Sequence, residues 1–272
     1  MKTIFITGAS TGLGKAAAKL FAARSWNVIA TMRNPDNDTE LRNTPNITVL
    51  PLDVTNPAQI DAAVKQSIAP GGVDVVLNNA GYGLAGPIEA ISDDQLTRQI
   101  NTNLLGVIRV TRAFVPHFRE KKAGVFLTVT SIGGLTTYPL FSVYHATKWA
   151  LEGWNESLSF ELKPFGITVK TIAPGGIKTD FSGRSIDMVM HEAYQPAAER
   201  LGHLVEWFRA QGNMTDRSSA EDIAEEVYQA ITDGKDQVHY LAGPDAKAIF
   251  QKRQELGAEG FKKEIEQIFF EN

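Results

Sequence analysis

Tyr144 and Lys148 stand four residues apart in the segment YHATK, and Ser131 precedes the tyrosine by thirteen residues. On a helix, a spacing of four puts the phenol and the ammonium on one face. A phenol with a reference pKa of about 10 is a poor base at neutral pH, but a cation close by favours the phenolate. The pair therefore reads as an acid or base able to transfer a proton at neutral pH. Ser131 ends the apolar, β-rich run at 125–130, which predicts a buried strand with a hydroxyl at its mouth, where it can face the phenol. A Tyr and a Lys one turn apart also occur as plain surface packing. Of the six tyrosines, however, only Tyr144 has a lysine four residues on, and an independent signal stands at the N-terminus.

That signal is Thr7-Gly8-Ala9-Ser10-Thr11-Gly12-Leu13-Gly14, which follows a short β-rich run at 3–6 and opens a helical pattern at 15–24. A glycine-rich turn between a strand and a helix fits a dinucleotide. Gly8 suits the tight turn, Gly12 lets backbone approach a pyrophosphate, and Gly14 permits close packing of helix on strand. The helix N-terminus then offers N–H groups and a positive dipole end to the phosphates. A strand at 28–31 completes a βαβ unit. The alternation continues with strands predicted at 47–50, 73–77, 125–130 and 167–172, and helices at 58–68, 93–118 and 142–162. This predicts one α/β domain over 1–272, a doubly wound parallel sheet with right-handed crossovers and helices on both faces.

After Pro174 the pattern loosens. Residues 175–217 are rich in Met, Phe, Trp and Tyr but broken by Gly and Pro, and an insertion of that length is more often functional than idle. A helix at 220–231 and a strand at 237–241 follow. The tail, 245–272, reads as helical, with Phe250, Leu256, Phe261, Ile265 and Phe269 available for an apolar stripe against the body or a partner subunit.

Composition narrows the function classes. A net charge of -4, with no basic run beyond Lys121-Lys122 or Lys262-Lys263, argues against a nucleic-acid binder. The chain has no cysteine, which removes disulfides, thiol chemistry and Cys-ligated zinc and fits a reducing cytoplasm; its five histidines are scattered, so no metal is expected. Nothing approaches the roughly 18 apolar residues of a membrane span. The expectation is a soluble cytoplasmic protein.

The glycine spacing TGxxxGxG at 7–14, Asn78-Asn79-Ala80-Gly81, Asn103 in NTNLLG, Ser131, Tyr144, Lys148 and Pro174-Gly175 occur together in the order and register of one family. The chain resembles the short-chain dehydrogenases/reductases over nearly its whole length, in their short, single-domain branch. That resemblance implies a Rossmann-type fold and hydride transfer from or to a nicotinamide cofactor. It makes Ser131 the group that hydrogen-bonds the substrate carbonyl, Tyr144 the proton donor, Lys148 the holder of the nicotinamide ribose and the depressor of the phenol pKa, and Asn103 the anchor of a water relaying protons to Lys148. Asn103 also reads as a mid-helix polar residue satisfying nearby backbone. By the same resemblance Asp53 and Val54 contact adenine, the Asn79-Ala80-Gly81 backbone borders the adenosine ribose, and Ile177 and Thr179 meet the carboxamide. Asp53 equally suits a cap for the helix after Pro57. The family usually forms dimers or tetramers through helices here near 93–118 and 142–162, so a homodimer or homotetramer is expected.

Coenzyme choice is read at the end of the second strand, where an acid holds a ribose 2'-OH and an arginine accepts a 2'-phosphate. Met32 occupies the acid's place and Arg33 offers a planar fork of donors, which predicts NADP(H). A solvated Arg33 would leave NAD(H) possible. For the substrate, Tyr138, Phe141, His145 and Phe181, with Met188, Met190, Trp207 and Phe208 in the insertion, suggest an apolar pocket wall for a hydrophobic ketone or alcohol. Trp149 and Trp154 fit core or interface packing. The segments YHATKWALEGWNESLSFELKPFGI and IATMRNP resemble the branch of steroid 17β- and retinol dehydrogenases. Two rivals use the same fold: a non-catalytic NADP(H)-binding regulator or scaffold, and a 3-oxoacyl-type reductase that would differ in the insertion.

Overall fold

The computed structural model describes residues 1–69, 71–178, 186–197, 199–201 and 218–270. In chain order its strands are β1 (Thr3–Ile6), β2 (Asn27–Met32), β3 (Ile47–Pro51), β4 (Val75–Asn78), β5 (Gly83–Ala85), β6 (Gly124–Val129), β7 (Ile167–Pro174), β8 (Ile177–Lys178), β9 (Ile186–Met188), β10 (Ser218–Ser219) and β11 (His239–Ala242). The helices used below are α1 (Gly12–Ala23), α2 (Pro57–Ile68), α3 (Asp93–Ile100), α4 (Gly106–Lys121), α5 (Ser142–Leu162), α6 (Ala220–Thr232) and α7 (Pro244–Phe270). Seven strands make one parallel sheet in the order β11-β7-β6-β4-β1-β2-β3.

The strands are mostly apolar on both faces because helices cover both. In β1, Ile4 and Ile6 point into the core under α1 and α6, whereas Phe5 points into the core under α2, α4 and α5. Each such side chain contributes about 1.5–3 kcal/mol by leaving water. The strand order reverses between β1 and β4, which puts a crevice at the carboxyl ends of those two strands. Both the glycine turn after β1 and Asn79-Ala80-Gly81 after β4 open into it.

Two expectations change. The single helix at 93–118 is α3, a π-turn at Asn101–Leu105, then α4 running to Lys121. Gly106 explains where the turn sits: a Cβ there would lie 2.8 Å from the Val54 side chain and 3.2 Å from the Asn101 carbonyl, so the helix re-enters against the β3–α2 loop at that point. The tail's apolar stripe also differs. Gly257, at φ 69 and ψ 179, breaks α7, and the buried face restarts out of phase. Leu256 is exposed, and Ala246, Ile249, Phe261, Ile265 and Ile268 pack with Ile132, next to Ser131. Among the described residues no helix is long and apolar enough to cross a membrane.

Candidate active site

Ser131 follows β6 with an extended backbone, and its Oγ accepts from the Gly133 N–H at 3.0 Å. The turn thus fixes the hydroxyl, which faces the Tyr144 phenol closely enough to favour its ionised form. One helical turn along α5, the buried Lys148 donates from Nζ to the Val129 carbonyl at 3.0 Å, with the ammonium 5.8 Å from the centre of the Tyr144 ring. Strand end, hydroxyl, phenol and ammonium therefore share one corner. Burial pushes the Tyr144 phenol up, and Ser131 is the group pulling against it. The sequence reading gave that pull to Lys148. Burial also brings Lys148 down to about 8, opposed by Glu152.

His145 packs its ring 6.0 Å from that of Tyr144 and has both nitrogens engaged by backbone. Its Nε2 accepts from the Tyr138 N–H at 3.0 Å, which leaves the proton on Nδ1 to donate to the Gly133 carbonyl at 2.6 Å. Both nitrogens staple the loop after Ser131 to α5, and burial holds the imidazole below its usual pKa. Tyr138 receives a hydrogen bond from the Thr136 hydroxyl and packs with the apolar cluster under α7. Phe141 remains near the phenol, edge-on to the Tyr144 ring at 6.4 Å.

Asn103 sits in the π-turn, 1% exposed. Its Oδ1 accepts from the Tyr82 N–H at 3.0 Å and its Nδ2 donates to the Tyr82 carbonyl at 2.8 Å. The side chain clamps the segment leaving β4, the backbone-satisfying role that the sequence left open.

The crevice fits a dinucleotide. Gly8 and Gly12 have positive φ, 69 and 54. A Cβ on Gly14 would lie 2.4 Å from the Gly8 carbonyl, so α1 sits directly on the turn. Thr11 caps α1 without a side-chain hydrogen bond and no acid occupies the first turn, which leaves its N–H groups to an anion. The Asn79 amide donates to the Thr7 and Gly8 carbonyls at 2.9 and 3.0 Å, and the Thr7 hydroxyl accepts from the Asn79 and Ala80 N–H groups at 2.9 and 3.0 Å.

A family model for short chain dehydrogenases matches residues 2–190. The chain belongs to the short-chain dehydrogenase/reductase family. Oxidoreductase BOA17 of Botryotinia fuckeliana is 35% identical over 260 residues, 94% of this chain and 93% of that protein. Retinol dehydrogenase 8 of Bos taurus is 31% identical over 254 residues, 85% of this chain and 78% of that one. A solved short-chain dehydrogenase from Streptomyces avermitilis superposes with a TM-score of 0.83 at 29% identity over 97% of both chains. The dehydrogenase is accordingly an oxidoreductase of the CH–OH/C=O class.

The remaining site residues of this dehydrogenase are unevenly placed. Arg33 is exposed, in no ion pair with any described residue, beside an open cleft of about 690 Å³ that Asn34, Asp36 and Pro51 also line; Met32 is buried in the core. Asp53 turns its Oδ1 back to the Thr55 N–H and hydroxyl, and the cap of α2 is Asn56 instead. Val54 is buried against Gly106. Pro174 ends β7 beside β11, and Gly175 lies on the buried Asp245, whose Oδ2 accepts from the Gly176 N–H at 2.6 Å. Ile177 pairs with Ser218 in a short parallel ladder. Thr179, Phe181, Trp207 and Phe208 lie outside the described residues.

Sequence reasoning missed three features. Asp245 carried no signal, because its partners are seventy residues away in sequence. The insertion is tied down where β9 pairs with β5 and Asp187 bonds Gln95 at 3.1 Å and Arg98 at 2.6 Å. Glu152, four residues after Lys148, was legible as the next acid on the same helical face.

Proposed function

We propose that the dehydrogenase interconverts a hydrophobic ketone or aldehyde and its alcohol with NADP(H), using Tyr144 as general acid and base. The observation that carries this is the corner in which the Ser131 hydroxyl meets the Tyr144 phenol near the buried Lys148 ammonium, at the end of a strand two places along the sheet from the glycine turn. Nicotinamide, when bound, supplies or accepts the hydride. Ser131 presents its hydroxyl, oriented by the Gly133 turn, to the substrate oxygen. Tyr144 gives its proton to that oxygen in reduction and takes it back in oxidation. Lys148, held at Val129, keeps a positive charge next to the phenol as its proton leaves, and is the residue for the nicotinamide ribose. The second N–H of the Asn103 amide is the group for a water on the way to Lys148.

Gly8, Ser10, Thr11, Gly12, Leu13 and Gly14 would cradle the pyrophosphate, and Arg33, exposed at its cleft, the 2'-phosphate. Apolar substrate is supported by Phe141 and by the exposed Met188 and Met190 of the insertion, and by the likeness to a retinol dehydrogenase. A second copy would pair along α4 and α5, where Ile108, Val115, Trp154 and Leu158 line an open groove of about 410 Å³. We place the enzyme in the cytoplasm, since a chain without cysteine needs no oxidising compartment.

The test is a panel of apolar ketones, aldehydes and alcohols followed at the NADPH absorbance band. Tyr144→Phe should lower turnover by at least about 100-fold and leave NADPH binding intact. Retained turnover in that variant rules out the phenol as the acid.

A further inference from the structure

Behind Lys148 lies an ionisable group that the mechanism above does not use. Glu152 follows it by one turn on α5 and is 5% exposed. Its Oε2 accepts from the Thr171 hydroxyl on β7 at 2.8 Å and bonds Nδ1 of His239 on β11 at 2.9 Å. Its Oε1 has no hydrogen-bond partner among the described residues. A buried carboxylate with an unmatched oxygen is costly to hold in a fold, and a glutamine would serve Thr171 as acceptor without the charge. We propose that Glu152 is a positioning residue for the reaction: its buried charge holds Lys148 as an ammonium, and His239 sets how much of that charge Lys148 feels.

The surroundings leave this task to Glu152. Lys148 bonds a neutral carbonyl at Val129. The loop that covers it contributes Gly133 and Gly134, and a Cβ at Gly134 would lie 2.9 Å from the Lys148 carbonyl oxygen and 3.2 Å from Cγ of Glu152, so one bare turn seals both. From β7 comes the Thr171 hydroxyl, on Glu152, and from α5 the Tyr144 ring, 5.8 Å from the ammonium. From β11 comes His239, with Glu156 on its far side, 3.3 Å from Nε2. Glu152 is the acid that acts on Lys148, against a burial that brings the ammonium down to about 8.

The sign of the coupling follows. His239 is held above its usual pKa, by Glu152 first, against burial. While protonated, its imidazolium offsets Glu152. As pH rises and His239 loses its proton, the full carboxylate charge falls on Lys148. Glu152 thus extends the charged range of Lys148 upward in pH, and protonated His239 weakens that hold at lower pH.

This inference rests on Lys148 serving the reaction proposed above, and its test reads Lys148 directly. In the full chain with carbon-labelled lysine, the Lys148 resonance is assigned by Lys148→Arg and followed against pH. Glu152→Gln should lower its titration midpoint by about one pH unit, and Glu152→Asp should restore most of it. A variant that melts earlier with the midpoint unmoved overturns the proposal in favour of a structural role. If Glu152→Gln does not fold, the unaltered chain decides: the Lys148 resonance should show a second inflection at the His239 midpoint that His239→Asn removes, and a single inflection overturns the coupling. A shifted Lys148 midpoint with an unshifted turnover profile would count against the catalytic role of Lys148 and leave the coupling standing.

Discussion

The dinucleotide crevice and the β5–β9 side of the molecule are held by different means. At the crevice, backbone and short side chains interlock: Thr7 and Asn79 sew the turn after β1 to the turn after β4, and Gly8 and Gly14 sit where a Cβ would meet backbone within 3 Å. On the β5–β9 side, the segment at 186–194 is held by the three-residue β5–β9 ladder and by Asp187 on Arg98 and Gln95, with the Arg98 side chain 56% exposed. The crevice tolerates almost no change of shape; the other wall adds one comparable approach, a Cβ on Gly86 lying 2.5 Å from the Val189 carbonyl, to a clasp at the surface, where ion pairs contribute little. A cofactor common to many reactions needs the first, and under the function proposed above the second would meet substrate.

The sharpest break of that contrast is Gly14→Ala. The added methyl would lie 2.4 Å from the Gly8 carbonyl and 2.5 Å from the Asn79 amide, and the Gly8 carbonyl is backbone that cannot swing aside as a side chain can. We expect a loss of about 3 kcal/mol in urea unfolding together with weakened NADPH binding. A stability unchanged by this variant would show that the crevice yields as the other wall does. Next in size is Arg33→Ala. Losing a charge-assisted contact to a phosphate lowers affinity by about tenfold or more, and the loss should fall on NADPH and spare NADH in titrations of each. Equal loss for both, or an NADH preference in the parent enzyme, removes Arg33 as the discriminator.

The same contrast explains what was legible in the sequence. The seven-stranded sheet and the corner of Ser131, Tyr144 and Lys148 are written in local patterns: apolar runs, a glycine spacing, and a four-residue step on a helix. The π-turn at Asn101–Leu105 was hidden because the close contact at its end joins Gly106 to Val54, 52 residues earlier. His145 is adjacent to Tyr144 in sequence and packs edge-on to its ring at 6.0 Å, but that both its nitrogens bond the Gly133 and Tyr138 backbone was not legible, since those partners lie on the loop before α5. Asp245 and the Asp187 clasp are contacts between distant segments, which no periodicity announces.

The smallest expected effect lies on the clasped wall. Asp187→Asn keeps the hydrogen bond to Gln95 within reach but removes the ion pair to Arg98. An exposed pair of this kind contributes about 0–1 kcal/mol, so the melting temperature should hardly move. If the segment at 186–194 borders substrate, the loosened wall should raise KM by a few-fold for apolar substrates, with kcat and NADPH affinity unchanged, because neither Tyr144 nor the glycine turn touches Asp187. A fall in kcat at constant KM would place the clasp in the proton-transfer machinery, through Arg98 and Gln99 on α3 to the Tyr82 backbone that Asn103 holds. Unchanged kinetics would make the β5–β9 ribbon an outer tie with no hand in substrate selection.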